Sequence, residues 1–330
     1  MKVPNLRGVV LLMTLFASAG ARAEDPAAAA PGDPGASSAP TPATNSAWIT
    51  RAWLSEEGLP GNTVVGIAQT PDGFLWVATE SGLARFDGVR FQETAPLPNP
   101  TVALLADRPG RLWLGKRNAD ADGEVVCVEA DKTRVFTTRD GLPGWQVGGM
   151  AEDGEGAVWI SAGGLACRIQ EGRCTVFSSA DGLPASGRKL YVASDSRGQL
   201  WFARGTQVGV YRDGRFRTLL TLNEPCGALS RARSGGVWIG AGTRVLKYGG
   251  GGEPQDLGEL AVGQPDLKPT VLCEDRRGRL WVGTAGAGVL LYNGAGFDEL
   301  ALAKREILCL TEDREGSLWV GTRGGGLVRL

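Results

Sequence analysis

From residue 47 onward, apolar and polar positions alternate over four to six residues at a time, and turn-forming residues interrupt them every eight to ten. That period of two predicts short, half-buried strands and argues against a helical solenoid. The pattern also recurs. Trp76, Trp113, Trp159, Trp201, Trp238, Trp281 and Trp319 each follow Leu or Val, and each is followed by another apolar residue. Glycine stands three residues before every one of them: Gly73, Gly110, Gly156, Gly198, Gly235, Gly278 and Gly316. Six residues before stands Asp107, Asp153, Asp195, Asp275 or Asp313, with Thr70 and Ala232 as the two exceptions. The tryptophans are spaced 37, 46, 42, 37, 43 and 38 residues apart. Repeats near 40 residues built of short strands predict propeller blades.

Each unit reads as four strands. An apolar innermost strand leads into an Asp-x-x-Gly turn, where the carboxylate bonds nearby backbone and glycine takes a positive φ. The tryptophan strand is second. A third strand, such as Val208–Tyr211 or Val289–Tyr292, runs into a hairpin dipeptide such as Asp87-Gly88, Glu171-Gly172, Asp213-Gly214 or Asn293-Gly294. Such pairs favour the type I′ turn of antiparallel hairpins. A fourth strand follows. The last unit stops at Leu327–Leu330, a third strand, while a spare strand lies at Ala47–Trp53. We therefore expect an all-β, single seven-bladed β-propeller of four-stranded blades over residues 47–330, closed by the N-terminal strand pairing with the C-terminal blade. Closure removes two sheet edges that would otherwise template aggregation.

Composition sharpens this reading. Glycine contributes 50 of 330 residues, which the turn inventory of seven blades accounts for. Histidine is absent, so imidazole-based nucleophile activation, metal ligation and pH switching are excluded. A net charge of −1 argues against a nucleic-acid surface. Six cysteines occur without any C-x-x-C spacing, which argues against zinc or thioredoxin chemistry. Cys167 and Cys174 flank one hairpin. A four-residue loop would let them bridge, whereas a two-residue Glu171-Gly172 turn would set them diagonally and strain the bond. The five turn aspartates, each in a separate blade, cannot converge on one ion, so no metal is expected. No cofactor is expected either.

Residues 1–23 read as a cleaved secretory signal peptide: Lys2 and Arg7, the apolar run Val9–Phe16, and small residues at Ala21 and Ala23. Residues 24–46 hold five prolines among many alanines and read as a linker. No later apolar run approaches the 18 residues of a membrane helix. The expected location is periplasmic or secreted.

The repeat resembles the two-component regulator propeller repeat. The resemblance is carried by Leu280-Trp281-Val282-Gly283-Thr284, Leu318-Trp319-Val320-Gly321-Thr322 and Asp140-Gly141-Leu142-Pro143, and it covers residues 47–330. It implies an extracytoplasmic sensor ring. Receptors of that family usually add a second ring, a β-sandwich, a membrane helix and a kinase or cyclase. This chain has one ring and none of those, so it is expected to be either a stand-alone propeller or a fragment of a longer receptor.

Candidate chemistry lies outside the repeat pattern. Trp145, in the loop leading into the third blade, and Arg188, Lys189 and Tyr191, leading into the fourth, fall on one face of the ring around the channel mouth. Aromatics beside cations suit a glycan, an anionic one included, or another small-molecule ligand; the bland reading is loop packing. Three functions compete: a non-catalytic ligand-binding sensor module, a propeller lyase or glycosidase, and a scaffold for an envelope or receptor protein. Propeller lyases of this look typically use a catalytic histidine, so its absence favours the first. A monomer is expected.

Overall fold

The computed structural model describes residues 51–94, 101–117, 123–129, 132–144, 147–185, 189–260, 267–302 and 304–330. The export signal and linker expected over residues 1–46 lie outside this set. Seven four-stranded antiparallel sheets account for the described strands. The innermost strands are Val64–Gln69, Thr101–Ala106, Val147–Glu152, Leu190–Ser194, Cys226–Arg231, Pro269–Glu274 and Ile307–Glu312. Each touches the innermost strand of the blade on either side, the seventh touching the first, so the sheets close into a ring.

Closure follows the expected route. Arg51–Trp53 is the outer strand of the seventh blade, with Arg51 opposite Arg329, Ala52 opposite Val328 and Trp53 opposite Leu327. Trp53 is 3% exposed. Its ring lies 5.2 Å from that of Trp319 and 5.3 Å from that of Phe86 in blade 1. One aromatic thus joins the first and last blades.

Blades adhere through apolar layers shared by neighbours. Trp113 and Phe136 of blade 2 pack with Val158, Ile160 and Ile169 of blade 3, and Trp159 of blade 3 packs with Leu200, Phe202 and Phe216 of blade 4. Six of the seven repeat tryptophans are buried and Trp76 is half-buried. At 150–250 Å² each, burying such a side chain contributes about 4–6 kcal/mol of transfer free energy.

The turn after each innermost strand is the same in all seven blades. Its glycine N–H bonds the carbonyl three residues back, and its φ lies between 77° and 100°. Where aspartate opens the turn, Oδ1 accepts backbone N–H groups, for example from Arg111 at 2.7 Å and from Gln199 at 3.0 Å. The other oxygen has a role that turn capping does not explain. Oδ2 accepts the indole N–H of the tryptophan six residues on: Trp113 at 2.8 Å, Trp159 at 2.6 Å, Trp201 at 3.0 Å, Trp281 at 2.9 Å and Trp319 at 2.7 Å. Each buried N–H is thereby satisfied; left orphaned it would cost about 1–3 kcal/mol.

The two exceptions find other acceptors. Thr70 Oγ1 takes the Trp76 N–H at 3.1 Å. Ala232 has no acceptor, and Trp238 donates instead to Glu274 Oε2 of the next blade at 2.7 Å.

The same face carries bonds between blades. Arg108, Arg233, Arg276 and Arg314 each follow the first turn residue. Arg108 pairs with Glu152 of blade 3 at 3.0 Å, and its guanidinium also reaches the Asp153 carbonyl. Arg233 of blade 5 reaches Glu312 at 2.9 Å, and Arg276 of blade 6 pairs with the same carboxylate at 3.4 Å. The Arg314 backbone donates to Gln69 Oε1 at 2.8 Å, and its side chain bonds the Pro71 carbonyl, both in blade 1. Between blades 3 and 4 the contact is backbone to backbone, Gly154 N–H to the Gly198 carbonyl at 2.8 Å. A Cβ on Gly198 would meet the Gly154 Cα at 2.4 Å, so only glycine fits.

Candidate functional site

The loops that join blades, and the hairpins between second and third strands, lie on the opposite face, here called the connector face. Thr79, Thr284 and Thr322 end second strands there, and each donates its hydroxyl to the carbonyl of Gly82, Gly288 or Gly326. This tightens the hairpin and explains the threonine that ends these strands in physical terms.

At this end of the ring's axis the lumen widens into a cavity of about 640 Å³. Blades 1, 2, 3, 4, 6 and 7 contribute to its wall through their innermost strands or adjoining residues. Lys189 and Tyr191 are both part of it. The Lys189 Nζ sits 4.6 Å from the centre of the Tyr191 ring. Trp145 and Arg188 lie outside the described residues. Of the four expected site residues, two are therefore seen together, on the expected face and in the lumen.

Their electrostatics reflect a crowded wall. Burial lowers the Lys189 pKa from its ordinary 10.5, against a smaller opposing influence of the Cys226 thiol. Burial also pushes the Tyr191 hydroxyl up to about 12, so it remains a donor at neutral pH. Cys226 is likewise pushed up to about 12, mainly by burial, and stays a thiol.

Two further charges on this cavity escape a search for chemistry outside the repeats. Glu80 and Arg323 occupy the same repeat position, four residues after Trp76 and Trp319. Arg323 is held by Glu306, Nε to Oε2 at 2.6 Å and Nη2 to Oε1 at 3.2 Å. Comparing that one position across all blades would have marked both. The repeat alignment carries this signal, because the residue just past the second strand sits on the connector face.

A second cavity lies elsewhere. It measures about 740 Å³ and sits beside the aspartate turns of blades 3 and 4. Its buried carboxylates, Asp153 and Asp195, are already engaged by turn N–H groups and by the indoles of Trp159 and Trp201. Among the described residues no group of three or more acidic or cysteine side chains is placed to hold a metal ion.

All six cysteines are free. Gln170 pairs with Arg173 across a two-residue turn, Glu171 and Gly172 having φ of 48° and 76°. Cys174 therefore faces Ile169 and Cys167 faces Val176, the diagonal arrangement that disfavours a bridge. Interaction with Cys174, together with burial, raises the pKa of Cys167, and interaction with Cys167 lowers that of Cys174.

Comparison with known proteins agrees with this architecture. Residues 58–81, 263–286 and 301–324 match the family model described as two component regulator propeller. The chain carries two-component regulator propeller repeats. No curated protein matches it in sequence. Among solved structures, a streptogramin B lyase superposes with a TM-score of 0.72 at 16% identity, covering 86% of this chain and 98% of the lyase. Virginiamycin B lyase from Staphylococcus aureus, solved with quinupristin, gives 0.71 at 14%, covering 85% and 98%. The extracellular domain of a B. thetaiotaomicron protein assigned to a hybrid two component system gives 0.68 at 18%, covering 85% of this chain and 39% of that one. At these identities the likeness shows the fold alone. No helix among the described residues is long and apolar enough to cross a membrane.

Proposed function

We infer that this chain is an exported, non-catalytic binding propeller of the sensor type, which takes a small ligand at the connector-face mouth of its lumen. The observation that carries this reading is the convergence of Lys189 and Tyr191, at the start of blade 4, on a cavity of about 640 Å³. That volume falls within the range of small-molecule sites. The sensor assignment draws on the family repeats and on the extracellular two component neighbours. The lyase neighbours offer a second reading. One of them was solved as a catalytically inactive histidine-to-alanine variant, and this chain has no histidine at all. A general base would have to come from another residue type, which favours binding over lysis.

The test is a thermal-shift screen of metabolites and glycans against the full chain and a Lys189→Met/Tyr191→Ala variant, with product analysis of every hit. Ligands that raise the melting temperature should lose that effect in the variant and be recovered intact. A hit that stabilises both proteins equally, or that is cleaved, contradicts the reading.

A further inference from the structure

The geometry points to an amphipathic anion as the ligand of this cavity: an apolar chain ending in a single carboxylate, with the chain inside the lumen and the carboxylate against Lys189. This rests on the binding face inferred above and names its ligand class.

The walls come first. Val65, Val102, Met150, Val271, Leu308 and Leu310 line the cavity from five blades, and all six are half-buried. They are apolar groups that water reaches only within a concave space, where its displacement by an apolar chain is favourable. Of the side-chain hydroxyls on this wall only that of Tyr191 is open to a ligand. Thr270 already donates to the Ile307 carbonyl at 2.6 Å, and Thr101 is 3% exposed. The innermost strands pair on one side only. Their free edges leave N–H and C=O groups along the lumen, so an occupant with a polar end fits better than a wholly apolar one.

The charges then fix the polar end. Arg323 is committed to Glu306 by two hydrogen bonds. Lys189 has no carboxylate partner among the described residues and is exposed to the lumen. Desolvation by the wall lowers its pKa, and a bound anion would stabilise the charged form. Glu80, on the same cavity, repels a second negative group. One carboxylate therefore suits the site better than a polyanion.

The experiment is titration calorimetry on the full chain with decanoate, below its micelle concentration, beside decyltrimethylammonium and galacturonate. The first comparator keeps the chain and reverses the charge; the second keeps the carboxylate and replaces the chain. Decanoate should bind, with both comparators at least tenfold weaker. Lys189→Met should weaken decanoate about tenfold to a hundredfold, the range for losing one charge-assisted bond. Lys189→Arg should restore most of it, and melting curves will show whether the variants fold. Absent decanoate binding, equal binding of the ammonium compound, or tighter binding of galacturonate overturns the ligand class. If another ligand from the screen loses binding in Lys189→Met while decanoate fails, the class falls and the binding face stands. A screen hit indifferent to Lys189 and Tyr191 removes both.

Discussion

The two faces of the ring are held together differently. On the aspartate-turn face, side chains bond across blade boundaries: Arg108 to Glu152, Arg233 and Arg276 to Glu312, and Arg314 to blade 1. Beneath them, carboxylates bind the indole of every repeat tryptophan except Trp76, whose partner is Thr70. On the connector face, Lys189 and Tyr191 contact each other and the lumen. Polar groups that bond one another fix the geometry of a fold, and groups that have no partner can serve a ligand. The contrast separates the scaffold from the candidate site.

Substitutions on each face, and at the closure that joins them, probe this difference. The largest effect should come from the closure that serves both faces. Trp53→Ala should cost about 3–5 kcal/mol, the usual range for a large buried aromatic, read as a lower midpoint in denaturant unfolding. Deleting residues 47–54 should lower the melting temperature further. An unchanged melt after that deletion would refute closure by this strand.

Next comes the indole acceptor in blade 5, which has moved to its neighbour. Glu274→Ala should cost about 1–3 kcal/mol, because it orphans the Trp238 N–H. Adding Ala232→Asp places a carboxylate where the other blades have it, and should recover more than half of the loss. Failure to recover would mean that Glu274 acts chiefly through its bond to the Arg233 backbone.

Asp275→Asn should cost about 1–2 kcal/mol, since the amide keeps one acceptor but loses the ion pair with Arg279 at 2.6 Å. Burial alone would raise this carboxyl's pKa. The Trp281 N–H and the Arg279 backbone and guanidinium outweigh burial and hold it below the ordinary 3.8. A depressed folded value stabilises the fold above the unfolded pKa, and that stabilisation fades as pH falls through the folded value. The difference between wild type and Asp275→Asn should therefore be constant from pH 7 to 5 and shrink below about pH 4. A difference independent of pH would assign the effect to packing.

The smallest effect on stability should come from the connector face. Lys189→Met should move the unfolding midpoint within the spread of ordinary surface changes, about 0.5 kcal/mol. A larger loss would place Lys189 in the scaffold.

The fold was legible in the sequence because the repeat is seven times redundant. Trp76 through Trp319 mark second strands, Gly73 through Gly316 mark turns, and the lone strand ending at Trp53 marks the closure. The constant six-residue step from aspartate to tryptophan was visible too, yet only the structure shows that it spans a carboxylate-to-indole bond. The interblade pairs were harder to read. Glu152, Glu274 and Glu312 each precede a turn aspartate, but their arginine partners lie 36 to 79 residues away in sequence. The lining of the candidate cavity was half legible. Lys189 precedes the innermost strand of blade 4 and Tyr191 lies within it, and both could be singled out as a cation and an aromatic at the entry to that blade. Glu80 and Arg323 stand within the repeat, so a search for departures from the pattern passes over them.

The division between scaffold face and binding face is tested most directly by one paired measurement. A ligand found by thermal shift would be titrated against Lys189→Met/Tyr191→Ala and against Glu312→Gln, which alters only the aspartate-turn face. The first variant should melt near wild type and lose the ligand's shift, while the second should melt lower and keep it. The reverse pattern, with binding lost in Glu312→Gln and intact in the double variant, would contradict that division.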